Sequence, residues 1–128
     1  MESKKILVVD DEEELLELVA KTLTNEGFEV TTVTTAEDAM DQARAIVPDL
    51  ILIDIILPDM EGPEAVRALS EDPLTGNIPV IFLSGIVTRI EERGGVATDV
   101  RVGNRLYKAL SKPFSSQELM IEVRKALV

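Results

Sequence analysis

The side chains best equipped for chemistry stand at the ends of apolar runs. Asp10 and Asp11 follow Ile6-Leu-Val-Val9, Asp54 follows Leu50-Ile-Leu-Ile53, Ser84 follows Val80-Ile-Phe-Leu83, and Lys112 follows a run ending at Leu110. A carboxylate at the end of a buried strand is costly unless it is paired, hydrogen-bonded or coordinated. Three carboxylates brought together cannot all stay ionised without a cation. Mg²⁺ is the natural candidate, because it takes hard oxygen ligands and is commonly held by one or two carboxylates plus a phosphate. An aspartate beside such a metal and a lysine is equipped to attack a phosphoryl group and become an aspartyl phosphate. Lys112 and Ser84 would then hold the phosphoryl oxygens that the metal does not reach.

Other chemistries are excluded by composition. The 128 residues contain no cysteine and no histidine, so there is no thiolate nucleophile, disulfide, thiolate metal site or imidazole base. Aromatic residues make up 3% of the chain, which leaves an aliphatic core. The length suits one domain spanning residues 1–128, with no output domain following the last helix. The net charge of −11 is concentrated in the first half, whose field would repel phosphate and disfavours direct contact with nucleic acid. No stretch approaches the ~18 apolar residues of a spanning helix, and the start has too short an apolar run for a signal peptide. A cytoplasmic protein with no membrane contact is expected.

The elements that must position these side chains alternate between strand and helix. Ile6–Val9, Leu50–Ile53 and Val80–Leu83 are uninterrupted apolar runs, as parallel strands buried on both faces require. Phe28–Val33 is less apolar and suits an edge, and Leu106–Leu110 is the expected fifth strand. Helical spacing of Leu15, Leu16, Val19 and Leu23 predicts a first helix ending at Gly27. Thr35-Ala-Glu-Asp38 and Ser115-Ser-Gln-Glu118 read as capping boxes, Pro48 stops the second helix, and Pro63 opens the third. Residues 86–104 hint at a short helix around Ile86, Val87 and Ile90, interrupted by glycines. The sum is an α/β doubly wound sheet, in which ligands bind outside the carboxyl ends of the strands near the switch in winding.

Taken singly these residues have plain explanations. Asp10-Asp11 alone is a helix cap, Ser84-Gly85 a turn and Lys112 a surface lysine. Together, in order and in register, they closely resemble the receiver domain of two-component response regulators. The resemblance rests on Ile-Leu-Val-Val-Asp10-Asp11-Glu12, Asp54-x-x-Leu-Pro58-x-x-x-Gly62, strand-end Ser84 and Lys112-Pro113-Phe114, and it covers nearly the whole chain. It implies a flavodoxin-like five-stranded parallel sheet of order 2-1-3-4-5. It also implies that Asp54 accepts phosphate from a sensor histidine kinase or histidine phosphotransfer protein, with Mg²⁺ bound directly by Asp11, through water by Asp10, and by Asp54 and the Ile56 carbonyl. Ser84 and Lys112 bind the phosphoryl group, and Lys112-Pro113 is cis. The partner on the output side is a downstream protein target or an output domain.

Two departures from the family pattern bear on read-out. Three positions before the lysine, where many receivers carry a switching aromatic, stands Ala109; Tyr107 shares its strand face. The span from Ser84 to Lys112 is also longer than usual, so the switching surface is expected within residues 85–110. The alternatives are a pseudo-receiver that switches without phosphate and a Mg²⁺-dependent aspartyl-phosphate phosphohydrolase. The latter would want a carboxylate two residues after Asp54, where Ile56 stands.

Overall fold

A computed structural model describes residues 3–85 and 97–128. The elements in chain order are β1 (Lys5–Val9), α1 (Glu13–Asn25), β2 (Glu29–Val33), α2 (Ala36–Ile46), β3 (Leu50–Asp54), α3 (Gly62–Glu71), β4 (Val80–Ser84), β5 (Ala97–Val102), β6 (Arg105–Ser111) and α4 (Ser116–Ala126). They form one sheet of order β2-β1-β3-β4-β6-β5. Every neighbouring pair is parallel except β5 with β6. The five parallel strands therefore stand in the doubly wound order expected, with β6 as the fifth of them.

Alternation along the strands divides the core into two layers. Leu7, Val9, Ile51, Ile53 and Phe82 pack with Ala36, Ala39, Ala43, Val66 and Leu69 of α2 and α3. Ile6, Val8, Leu50, Leu52, Ile81 and Leu83 pack with Leu16, Val19, Leu23, Leu119 and Val123 of α1 and α4. Successive side chains point to opposite faces, and both faces are covered. That is why these runs show no polar residue until the strand ends.

The sheet carries one strand more than the sequence suggests. Residues 97–102 form β5, which returns antiparallel onto β6 through a two-residue Gly103-Asn104 turn, with Val102 paired to Arg105. Gly103 has φ 60°, which a residue with a side chain adopts only with strain, so the glycine belongs to the turn rather than breaking a helix. Val102 is buried against the α2–α3 layer, and Lys108 pairs with Asp99 across the hairpin at 3.1 Å. The short helix suggested around Ile86, Val87 and Ile90 lies outside the described residues.

Capping follows the sequence in part. Ser115 and Glu118 make the complete reciprocal box at α4. At α2, Thr35 Oγ1 accepts from the Asp38 N–H at 3.1 Å. The other donors are met from a distance: the Asp59 carboxylate accepts from the N–H groups of Ala36 and Glu37, each at 2.9 Å. These bonds hold the Asp59 carboxyl below the usual carboxylate range and tie the loop after β3 to the start of α2.

Gly62 fixes the other end of that loop. Its N–H donates to the Ile55 carbonyl at 2.7 Å, and a Cβ there would overlap the backbone carbonyl of Asp54. Gly62→Ala is expected to lower stability by about 1–3 kcal/mol, as overpacking against backbone does. The urea midpoint reads it; an unchanged midpoint would mean that the loop yields without disturbing Asp54.

Candidate functional site

Asp10 and Asp54 sit at the ends of β1 and β3, adjacent central strands that lie where the winding reverses. Asp10 is fully buried and Asp54 nearly so. Asp10 Oδ1 accepts from the Glu12 N–H at 2.9 Å, and Asp54 Oδ1 accepts from the Ile56 N–H at 3.2 Å. Their second oxygens face a common cation. The Lys112 ammonium lies 2.8 Å from Asp10 Oδ2 and 3.1 Å from Asp54 Oδ2. The contact with Asp10 Oδ2 is an ion pair without hydrogen-bond alignment, so that buried oxygen has no aligned donor.

The backbone explains how a lysine from the last strand end reaches the first. The Lys112 N–H donates to the Ser84 carbonyl at 2.7 Å, which docks the chain after β6 against the end of β4. The Lys112-Pro113 bond is cis, as the resemblance implies. Ser84 is buried at the end of β4, on the same sheet edge as the two aspartates.

Asp11 is exposed and is not among the carboxylates that converge; those are Asp10, Asp54 and Glu12, each with one oxygen within 4.8 Å of the others. In the sequence Glu12 resembles Glu13 and Glu14 as a favourable charge at the start of a helix. It is instead the N-cap of α1, with an extended backbone (φ −87°, ψ 104°), and its Oε1 lies 2.9 Å from the Lys112 ammonium. A cap residue has not yet joined the helical path, so its side chain need not follow the helix face. The contiguous acids Asp10 to Glu12 were the signal for it.

Electrostatics follow from burial and neighbours. Burial raises the Asp54 pKa and the nearby Asp10 charge adds to it, while the Lys112 charge and the Ile56 N–H oppose; the net shift is upward. Burial alone would lower the Lys112 pKa, but the close contacts with the Asp10 and Glu12 carboxylates and the charge of Asp54 outweigh it and raise it. The ammonium therefore stays charged throughout the physiological range. Ile56 stands beside this cluster, 58% exposed.

A doubly wound α/β domain with paired strand-end aspartates, a buried serine and a lysine converging on one edge is the class of protein that fold and site define. Comparison makes this specific. The family described as the response regulator receiver domain matches residues 6–124. The chain is 38% identical over 123 residues to the phosphate regulon transcriptional regulatory protein PhoB of Rhizobium meliloti, covering 96% of this chain and 52% of that protein. It is 35% identical to the response regulator PleD of Caulobacter vibrioides over 95% of this chain and 26% of PleD. Among solved structures, the chemotaxis response regulator CheY4 of Vibrio cholerae superposes with a TM-score of 0.81 at 26% identity, covering 98% of this chain and 100% of the other. The chain belongs to the response regulator receiver domain family. It spans about half or less of the length of the curated relatives it matches.

An acid whose folded-state pKa is raised destabilises the fold above its unfolded value, and that penalty is complete above the folded value. Asp54→Asn is therefore expected to raise the melting temperature at neutral pH in metal-free buffer. The gain should vanish as pH falls below the ordinary carboxylate value of 3.8. Thermal unfolding across pH checks this; a lower melting temperature for Asp54→Asn at pH 7 would mean that pairing with Lys112 outweighs burial.

Proposed function

We propose that this domain is a phosphorylatable switch, in which Asp54 accepts a phosphoryl group from a sensor histidine kinase or a histidine phosphotransfer protein. The observation that carries the reading is the convergence of Asp10 and Asp54 on the Lys112 ammonium at one sheet edge. Family membership supports the same reading. The carboxylate of Asp54 is the nucleophile: its oxygen forms the new bond to phosphorus as the bond from phosphorus to the donor nitrogen breaks, and the leaving imidazole keeps the electron pair. Lys112 meets the charge on the transferred phosphoryl oxygens, and the Ser84 hydroxyl donates to one of them.

The donor set fits a hard divalent cation, since Asp10 Oδ2 is buried without an aligned donor and three carboxylate oxygens lie within 4.8 Å. Asp10, Asp54 and the Ile56 carbonyl would hold Mg²⁺, and Asp11, the direct ligand that the resemblance implies, stands exposed beside them as a further donor. When bound, the ion would neutralise phosphoryl oxygen charge. The domain acts in the cytoplasm through proteins rather than nucleic acid, as a signalling module rather than a metabolic enzyme. Its read-out passes to a downstream target or output domain around residues 85–110, of which 86–96 lie outside the described residues. A second reading, a receiver that switches without phosphate, draws support from the β5–β6 hairpin beside Ala109.

Incubation with acetyl phosphate and Mg²⁺, followed by intact mass measurement, separates the two. The wild-type chain should gain the mass of one phosphoryl group and Asp54→Asn none. Absence of any gain in the wild type would favour the second reading. The phosphorylated state should also decay slowly, because the exposed apolar Ile56 cannot orient an attacking water. Ile56→Asn or Ile56→Glu should hydrolyse several-fold faster in a chase after removal of acetyl phosphate. Equal decay would place control of water elsewhere, for instance at Ile86, which lies outside the described residues.

A further inference from the structure

Glu12 is given no ligand role above, yet it completes the set of carboxylates around Lys112. Its side chain is 63% exposed, while those of Asp10 and Asp54 are 0% and 9% exposed. Exposed ion pairs add little to stability, so this contact is weak as a structural device. Its position is more informative. The Lys112 ammonium contacts Asp10 Oδ2, Asp54 Oδ2 and Glu12 Oε1 at 2.8, 3.1 and 2.9 Å, the same residues whose oxygens could hold a divalent cation.

A metal and the ammonium that share these carboxylates repel each other, so a metal engaging Asp10 and Asp54 would weaken both ammonium contacts. Lys112 cannot leave altogether, because its N–H is bonded to the Ser84 carbonyl at 2.7 Å. Its side chain can only pivot from a fixed backbone. Of its carboxylate partners among the described residues, Glu12 alone is exposed and able to follow it toward the rim.

We propose that Glu12 is a positioning residue that takes over the Lys112 ammonium when a divalent cation engages Asp10 and Asp54. The inference rests on the reading of this edge as a Mg²⁺-assisted phosphoacceptor site. With Glu12 present, the lysine exchanges three carboxylates for one. Without it, the lysine must be expelled to water, and it competes harder with the metal. The same hand-off keeps the ammonium at the rim, close to where phosphoryl oxygens would arrive.

Calorimetric Mg²⁺ titration of the whole chain tests this as a double-mutant cycle. Glu12→Gln should weaken Mg²⁺ binding about fivefold or more when Lys112 is present, the coupling expected within one charged network. In a Lys112→Met background the same substitution should cost clearly less, since there is no ammonium to place. Lys112→Gln replaces Lys112→Met should the latter fail to fold, as judged by circular dichroism. Equal losses in both backgrounds would overturn the inference and leave the site reading standing. A larger loss in the Lys112→Met background would make Glu12 a direct ligand and overturn it as well. No Mg²⁺ binding by the wild-type chain would overturn the site reading and the inference with it.

Discussion

The charge balance between the Lys112 ammonium and the carboxylates of Asp10 and Asp54 is the constraint on which the rest of the structure depends. Asp10 has no exposed surface and Asp54 very little, so neither charge is solvated to any useful extent. Removing Lys112 would leave these buried carboxylates without compensation, a loss that in buried pairs typically costs about 3–5 kcal/mol. The fold must therefore deliver a lysine to this edge as reliably as it delivers the aspartates. It does so through the parallel pairing of β4 with β6 and the bond from the Lys112 N–H to the Ser84 carbonyl.

A parallel sheet makes this arrangement simple. All strand ends of one polarity fall on one edge, so residues 44 positions apart in the chain, Asp10 and Asp54, become neighbours. The loops then refine it. Gly62 lets the chain pass against the Asp54 carbonyl, and Asp59 pins the same loop to α2. On the far side, β5 extends the sheet beyond β6, and Tyr107 packs edge-on against Phe82 with ring centroids 5.9 Å apart. Tyr107 and Ala109 share the α2–α3 layer, so the aromatic ring lies one strand repeat away from the position it would hold in many receivers.

What was legible in the sequence follows from how strongly each feature constrains residue choice. Ile6–Val9, Leu50–Ile53 and Val80–Leu83 are buried on both faces and admit only apolar residues, so they stood out as strands and their polar ends stood out as a site. β5 was not legible. Its alternation of Thr98, Val100 and Val102 with Asp99 and Arg101 is that of a strand at the sheet edge, and Gly103-Asn104 is a hairpin signal. Nearby glycines at 94 and 95 drew the reading toward an interrupted helix instead. Glu12 was missed because a helix start with three consecutive glutamates looks like macrodipole complementation, and its partner Lys112 is 100 residues away. Asp59 was missed likewise, since its cap at α2 is a contact across 23 and 22 residues rather than three.

The central claim is that the strand-end carboxylates form a cation site whose occupancy is contested by Lys112. An amide-resolved NMR titration with Mg²⁺ tests it most directly. Shifts should concentrate at residues 9–12, 54–56, 84–85 and 112, at the ends of β1, β3, β4 and β6. Shifts confined to the acidic outer surface of α1, with the strand ends unmoved, would contradict it.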